Sequence, residues 1–145
     1  MVPVIVLIVV AALARLAGLL NAWDWLDSWP HAVRLGLAAM FALTAAAHFI
    51  QPRRDQLIAM VPPRLPNAPA LVTLTGILES AGAVGLLIPV TSAAAGICLA
   101  LMLIAMFPAN VRAARADLGI KTMPLPLRTL VQVVFIAACL LAAAG

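Results

Sequence analysis

Charge is scarce in this chain: 10% of its 145 residues are charged and only five are acidic, while 66% are hydrophobic. A soluble domain carries roughly a quarter charged residues and about half apolar ones. A water-soluble fold of this size cannot hide so much apolar surface, because small domains leave much of theirs exposed. Lipid is the solvent that fits, and the length allows one domain. Cysteine is down to Cys98 and Cys139, both inside apolar runs, with no CxxC, metal-ligand spacing or disulfide framework. Two inert buried thiols are therefore expected rather than a redox pair. No Gly-rich phosphate loop, HExxH, GxSxG or CxxCH occurs, so the usual signatures of soluble enzymes are missing and no metal site is expected. The formal charge of +4 does not point to nucleic acid, because the basic residues sit in loops without aromatic interleaving.

What the chain has in abundance is long apolar runs. A bilayer core about 30 Å thick needs about 20 apolar residues per helix. Five runs meet or approach that length: Val2–Leu20, Ala32–Ile50, Ala70–Val90, Ser92–Val111 and Leu127–Ala144. The expected fold class is all-α, an integral membrane helical bundle. The first run is read as a retained span, since Met1-Val2-Pro3 carries no basic side chain of the kind that opens a signal peptide. Five spans put Arg53, Arg54, Arg64, Arg112, Arg115, Lys121 and Arg128 on one side. Arg15, Arg34, Asp24 and Asp27 fall on the other, with Trp23, Trp25 and Trp29 at that interface. Loops rich in Lys and Arg stay cytoplasmic, so the N-terminus is expected inside and the C-terminus outside. Between the second and third spans, Pro52 suits the start of a short helix ended by Pro62-Pro63. Leu57, Ile58 and Val61 would give it an apolar side opposite Arg53, Arg54 and Asp55, as in a helix lying on the leaflet.

Polar groups inside lipid are costly, and each needs a reason. Glu79 stands nine residues into the third run, roughly 14 Å deep at about 1.5 Å per residue, near the middle of the span. It shares its helix with Gly76, Gly82 and Gly85, where small residues let a neighbouring helix approach. Arg128, Gln132, Phe135 and Cys139 recur on one face of the fifth span. Thr44 and His48 lie one turn apart in the second, and Pro108 precedes Asn110 near the end of the fourth. His48, Asn110, Arg128, Gln132 and Glu79 thus form a candidate ladder, outermost groups first and Glu79 deepest. The bland readings are an interfacial histidine meeting headgroups, a positive-inside arginine and a hydrogen-bonded carboxyl in a packing seam.

The stretch from Arg34 to about Ala138 resembles the DoxX-like family of small integral membrane proteins. The resemblance rests on Ala47-His48-Phe49, the run from Met60 to Pro66, and Leu71-Val72. It continues through Gly76-Ile77-Leu78-Glu79, Gly82 to Leu87, Phe107-Pro108-Ala109-Asn110-Val111 and Leu127-Arg128 with Gln132. It implies a four-helix membrane domain over residues 32–145; the N-terminal transmembrane helix with its outer loop, residues 1–31, goes beyond that four-span pattern. The resemblance also implies a bacterial inner membrane and places His48, Glu79, Asn110, Arg128 and Gln132 in a shared motif set. The family takes its name from a small subunit of a thiosulfate:quinone oxidoreductase. The functional expectation is accordingly an accessory component of a membrane oxidoreductase, with a quinone as the ligand near Glu79. A small proton-coupled transporter and an assembly factor without catalytic activity are the alternatives.

Overall fold

The computed structural model describes residues 1–116, 118–120 and 123–145, and it is all-helical. The described residues form six α-helices: α1 (Val2–Leu19), α2 (Trp29–Ala47), α3 (Arg53–Met60), α4 (Ala68–Leu87), α5 (Ser92–Arg115) and α6 (Leu125–Ala144). Five of them, all but α3, are long and apolar enough to cross a membrane. Proline opens four of these five, as Pro3, Pro30, Pro69 and Pro126 in the first turn, where the missing N–H would have had no helical partner anyway. Ser28 and Asn67 cap α2 and α4 by accepting from the His31 and Ala70 backbone N–H groups at 3.4 and 3.3 Å.

These signals correct the expected ends. Helix α2 starts three residues before Ala32, at the Ser28 cap, and stops at Ala47, three residues before Ile50. Helix α6 starts at Leu125, with Pro126 inside its first turn. Helix α5 does not end near Val111: it carries Pro108 in its interior and runs on to Arg115, with Arg112 and Arg115 in the last turn, where cations suit the helix dipole.

Helix α2 packs against α4 and α6, and α5 packs against the same two, which closes a four-helix ring. Contacts run antiparallel around it. An added side-chain carbon at Gly82 would meet Leu99 and one at Gly85 would meet Ala95, so α4 and α5 run in opposite directions. Helix α1 lies along the outside of α2. Its Leu7 and Ala11 belong to the same apolar cluster as Leu37, Met40, Phe41, Leu86, Leu99 and Phe135. Large apolar side chains remain exposed along the outer faces, among them Ile8, Leu13, Ile77, Val84, Leu101 and Val133.

The two ends differ in charge. At one, α3 joins α2 to α4 and brings Arg53, Arg54 and Arg64 beside the ends of α5 and α6 with Arg112, Arg115 and Arg128. Lys121, assigned to this side by sequence, lies outside the described residues. At the other end Arg15 pairs with Asp27, and its guanidinium lies 5.9 Å above the Trp29 ring. His31 stacks on Trp25 at 4.4 Å and donates Nδ1–H to the Trp25 carbonyl at 2.7 Å. Trp23 and Trp29 stay exposed there.

Helix α3 forms where Pro52 suggests, with Leu57, Ile58 and Val61 half-buried. Arg54 departs from the expected outer face. It turns inward, donating to the His48 carbonyl at 2.7 Å and to the Thr73 hydroxyl at 3.0 Å. Arg112 donates to the Ala59 carbonyl at 3.2 Å. Two arginines thus hold the short helix against the ring by supplying donors to backbone carbonyls at helix ends.

Candidate functional site

Glu79 is the single glutamate of the chain, and its residue is 4% exposed. Its Oε2 accepts from the Thr44 hydroxyl at 2.7 Å and stands 3.8 Å from His48 Nδ1. That nitrogen donates to the Thr44 carbonyl at 2.9 Å, the bond that orients the ring. Gly76 makes this approach of α2 and α4 possible, since a side-chain carbon there would stand 2.6 Å from His48 Cβ. His48 is 3% exposed, so it does not sit in solvent as an interfacial histidine would.

A second polar group joins α5 to α6. Arg128 donates to Asn110 Oδ1 at 2.7 Å, and Asn110 Nδ2 donates to Gln132 Oε1 at 3.3 Å. Gln132 Nε2 donates to the Leu103 carbonyl, in the turn that precedes Pro108. Among the described residues, Glu79 is joined to Thr44 and His48 and makes no pair with Arg128.

Helix register sets the depths. Arg34 donates Nε–H to the Ala142 carbonyl at 2.9 Å, which fixes how α2 lies against α6. Ten residues along α2 and ten back along α6 bring Thr44 level with Gln132. One turn further toward the α3 end, His48 is level with Arg128. The expected ladder with Glu79 at its deep end is therefore two rungs, with Glu79 on the same rung as Thr44 and Gln132. Glu79 is the twelfth of the twenty residues of α4, yet His48, at the end of α2, lies beside it. Helix α4 begins beyond the end of α2, so Glu79 lies about one turn inside the α2 terminus.

Sequence reasoning missed two roles. Arg34, read as an outer-side charge, is 4% exposed and satisfies a carbonyl in the last turn of α6. Arg54 reaches over the His48 end of α2 although its neighbour Arg53 is exposed. The glycine seam of α4 is occupied by the chain's own helices, Gly76 against His48 and Phe49, Gly82 against Leu99 and Gly85 against Ala95.

Both cysteines are free: Cys98 is exposed and Cys139 is buried in the core. The buried-thiol expectation fails for Cys98, because its position on α5 turns it away from the ring. Intact protein in detergent should take up one small maleimide, and SDS-unfolded protein two, counted by mass. Two labels on the intact protein would contradict the packing of Cys139.

Two cavities flank these helices. A groove of about 720 Å³ runs along α4 and α5 between Leu78 and Met102. Its hydroxyls, Ser80 and Thr91, are spent on the Gly76 and Gly85 carbonyls at 2.9 Å each. A smaller cavity of about 310 Å³ opens between the start of α1 and the end of α2, and Thr44 lines it. Among the described residues no cluster of three or more His, Cys, Asp or Glu is placed to hold a metal ion.

A family model described as Domain of unknown function (DUF8561) matches residues 37–143, a span that contains both polar groups and excludes α1. No curated protein and no solved structure matches the chain.

Proposed function

The chain belongs to this family of unknown function, and we propose that it is a multi-pass membrane protein serving as an accessory, quinone-proximal component of a membrane redox system, with Glu79 as its proton-accepting group. Five long apolar helices with large apolar side chains left exposed support the membrane setting. The arginines gathered at the α3 end and the tryptophans at the other support an N-terminus on the cytoplasmic side and a C-terminus on the periplasmic side. The DoxX-like resemblance over Arg34–Ala138 supports a bacterial inner membrane and a partner oxidoreductase subunit; the protein itself need not carry out catalysis.

One observation carries the reading. A carboxyl, a hydroxyl and an imidazole meet within hydrogen-bonding or ion-pair reach in the interior of the ring. Ionisable groups at such depth are expensive and mark ligand or proton pathways. His48, under the Arg54 clamp, is the exchange partner toward the α3 end. Asn110, Arg128 and Gln132 hold α5 and α6 in register beside it.

The test is extraction of the full chain in mild detergent, followed by mass spectrometry of its lipid extract, wild type against Glu79→Gln. A stoichiometric quinone in the wild type that falls at least fivefold in the variant is expected. Equal quinone in both samples, or none in the wild type, overturns the reading.

A further inference from the structure

The cavity of about 310 Å³ has one wall that the family match does not cover. Val2 and Pro3 of α1 face Leu43, Ala46 and Ala47 of α2 across it, and Arg53 stands at its rim. Its size falls at the lower end of small-molecule sites. Most of the lining is apolar, yet Thr44 lies in it, half-buried, with its hydroxyl hydrogen directed to Glu79 at 2.7 Å. A hydroxyl that donates inward keeps lone pairs to accept from the other side. Thr44 therefore offers the cavity an acceptor that is already wired to a buried carboxyl. The hydroxyls of the larger α4–α5 groove, Ser80 and Thr91, donate to their own backbone, so an acceptor there is wired to no carboxyl.

We propose that this cavity is the binding site for a small amphipathic molecule bearing a quinol- or phenol-type hydroxyl, which donates to Thr44 Oγ1 while its apolar part lies between α1 and α2. The inference rests on the reading of Glu79 above and adds the entrance, the contact atom and the ligand class. It gives α1 a function: the helix outside the family match supplies a wall and so sets which tails fit. Arg53 at the mouth suits a ligand whose ring carries further oxygens.

The experiment is native mass spectrometry of the full chain in detergent with two probes, n-decylhydroquinone and its dimethyl ether. A site built around a hydrogen bond rejects the analogue that lacks the donor. The wild type should bind one hydroquinone, roughly tenfold or more tighter than the ether. Thr44→Val keeps the shape, removes the acceptor and should bring the hydroquinone down to the ether's affinity. Ala47→Phe fills the cavity from α2 and should abolish both. Val2→Phe narrows the mouth from an exposed position at the start of α1, where no core contact is at stake, and should weaken both. Equal binding of the two probes by the wild type overturns the proposal, as does unchanged binding in both phenylalanine variants. If Glu79→Gln loses its co-purified quinone while the phenylalanine variants retain theirs, the entrance is wrong and the reading of Glu79 stands. If the wild type carries no quinone and binds neither probe, both fall.

Discussion

Gly96→Leu should leave α5 and α6 unable to pack and yield a chain that aggregates in detergent at temperatures where the wild type is monodisperse. A side-chain carbon at position 96 would stand 2.7 Å from the Cys139 carbonyl oxygen and 3.1 Å from Ala143 Cβ. The first is backbone in the middle of α6, and it cannot rotate away. Overpacking of this kind costs about 1–3 kcal/mol or more even for small additions. Alanine has a helix propensity about 1 kcal/mol better than glycine, which offsets only part of that cost. Gly96→Ala should therefore lose roughly 1–2 kcal/mol in an SDS unfolding titration. Ala143→Gly in the same chain should recover a fraction, since it removes the second contact and leaves the carbonyl. The control is Gly82→Ala. Its added carbon meets Leu99 side-chain carbons at 2.5–2.9 Å, and a leucine side chain can adjust where a backbone cannot. It should lose less than Gly96→Ala in the same titration. Equal losses at both glycines would mean that the α5–α6 contact is not the tight one.

That contrast shows what the sequence could and could not reveal. Long apolar runs and prolines mark helices by local rules, and five helices stand where five runs were read, with ends displaced by a few residues at most. Helix register depends on partners far along the chain, so depth could only be counted from each run's own start. Counting in that way put Glu79 far below His48, although α2 ends well short of the start of α4 and the two side chains face each other. Composition could flag Gly76 as a close approach without saying that His48 would occupy it. Arg34 and Arg54 were beyond such reading for a related reason. A cation near a run's end reads as a topology signal, and only packing reveals that each one is spent on a carbonyl.

Gln132→Leu should destabilise the protein by about 2 kcal/mol although it makes α6 more apolar. Two bonds go with the amide: its donation to the Leu103 carbonyl and its acceptance from Asn110 Nδ2 at 3.3 Å. The turn around Leu103 is a poor place to lose a donor, because Pro108 already withholds the N–H that would serve the Ile104 carbonyl. Hydrogen bonds between membrane helices average about 0.6 kcal/mol, so two ordinary ones alone would come to about 1 kcal/mol. The excess should come from polar groups left buried without a partner. It should show in a double-mutant cycle: Gln132→Leu with Asn110→Leu should cost less than the sum of the singles by about 1 kcal/mol, since the second change removes an orphaned group. Glu79→Gln should behave differently, because the amide oxygen still accepts from Thr44 and the shape is kept. It should stay within about 0.5 kcal/mol of the wild type. Of two polar groups on one level of the ring, the α5–α6 group would then be needed for the fold. The α2–α4 group, beside the cavity, would be dispensable for folding and free to handle a proton. A Glu79→Gln protein that unfolds as readily as Gln132→Leu would make both groups structural and leave the proton without an acceptor.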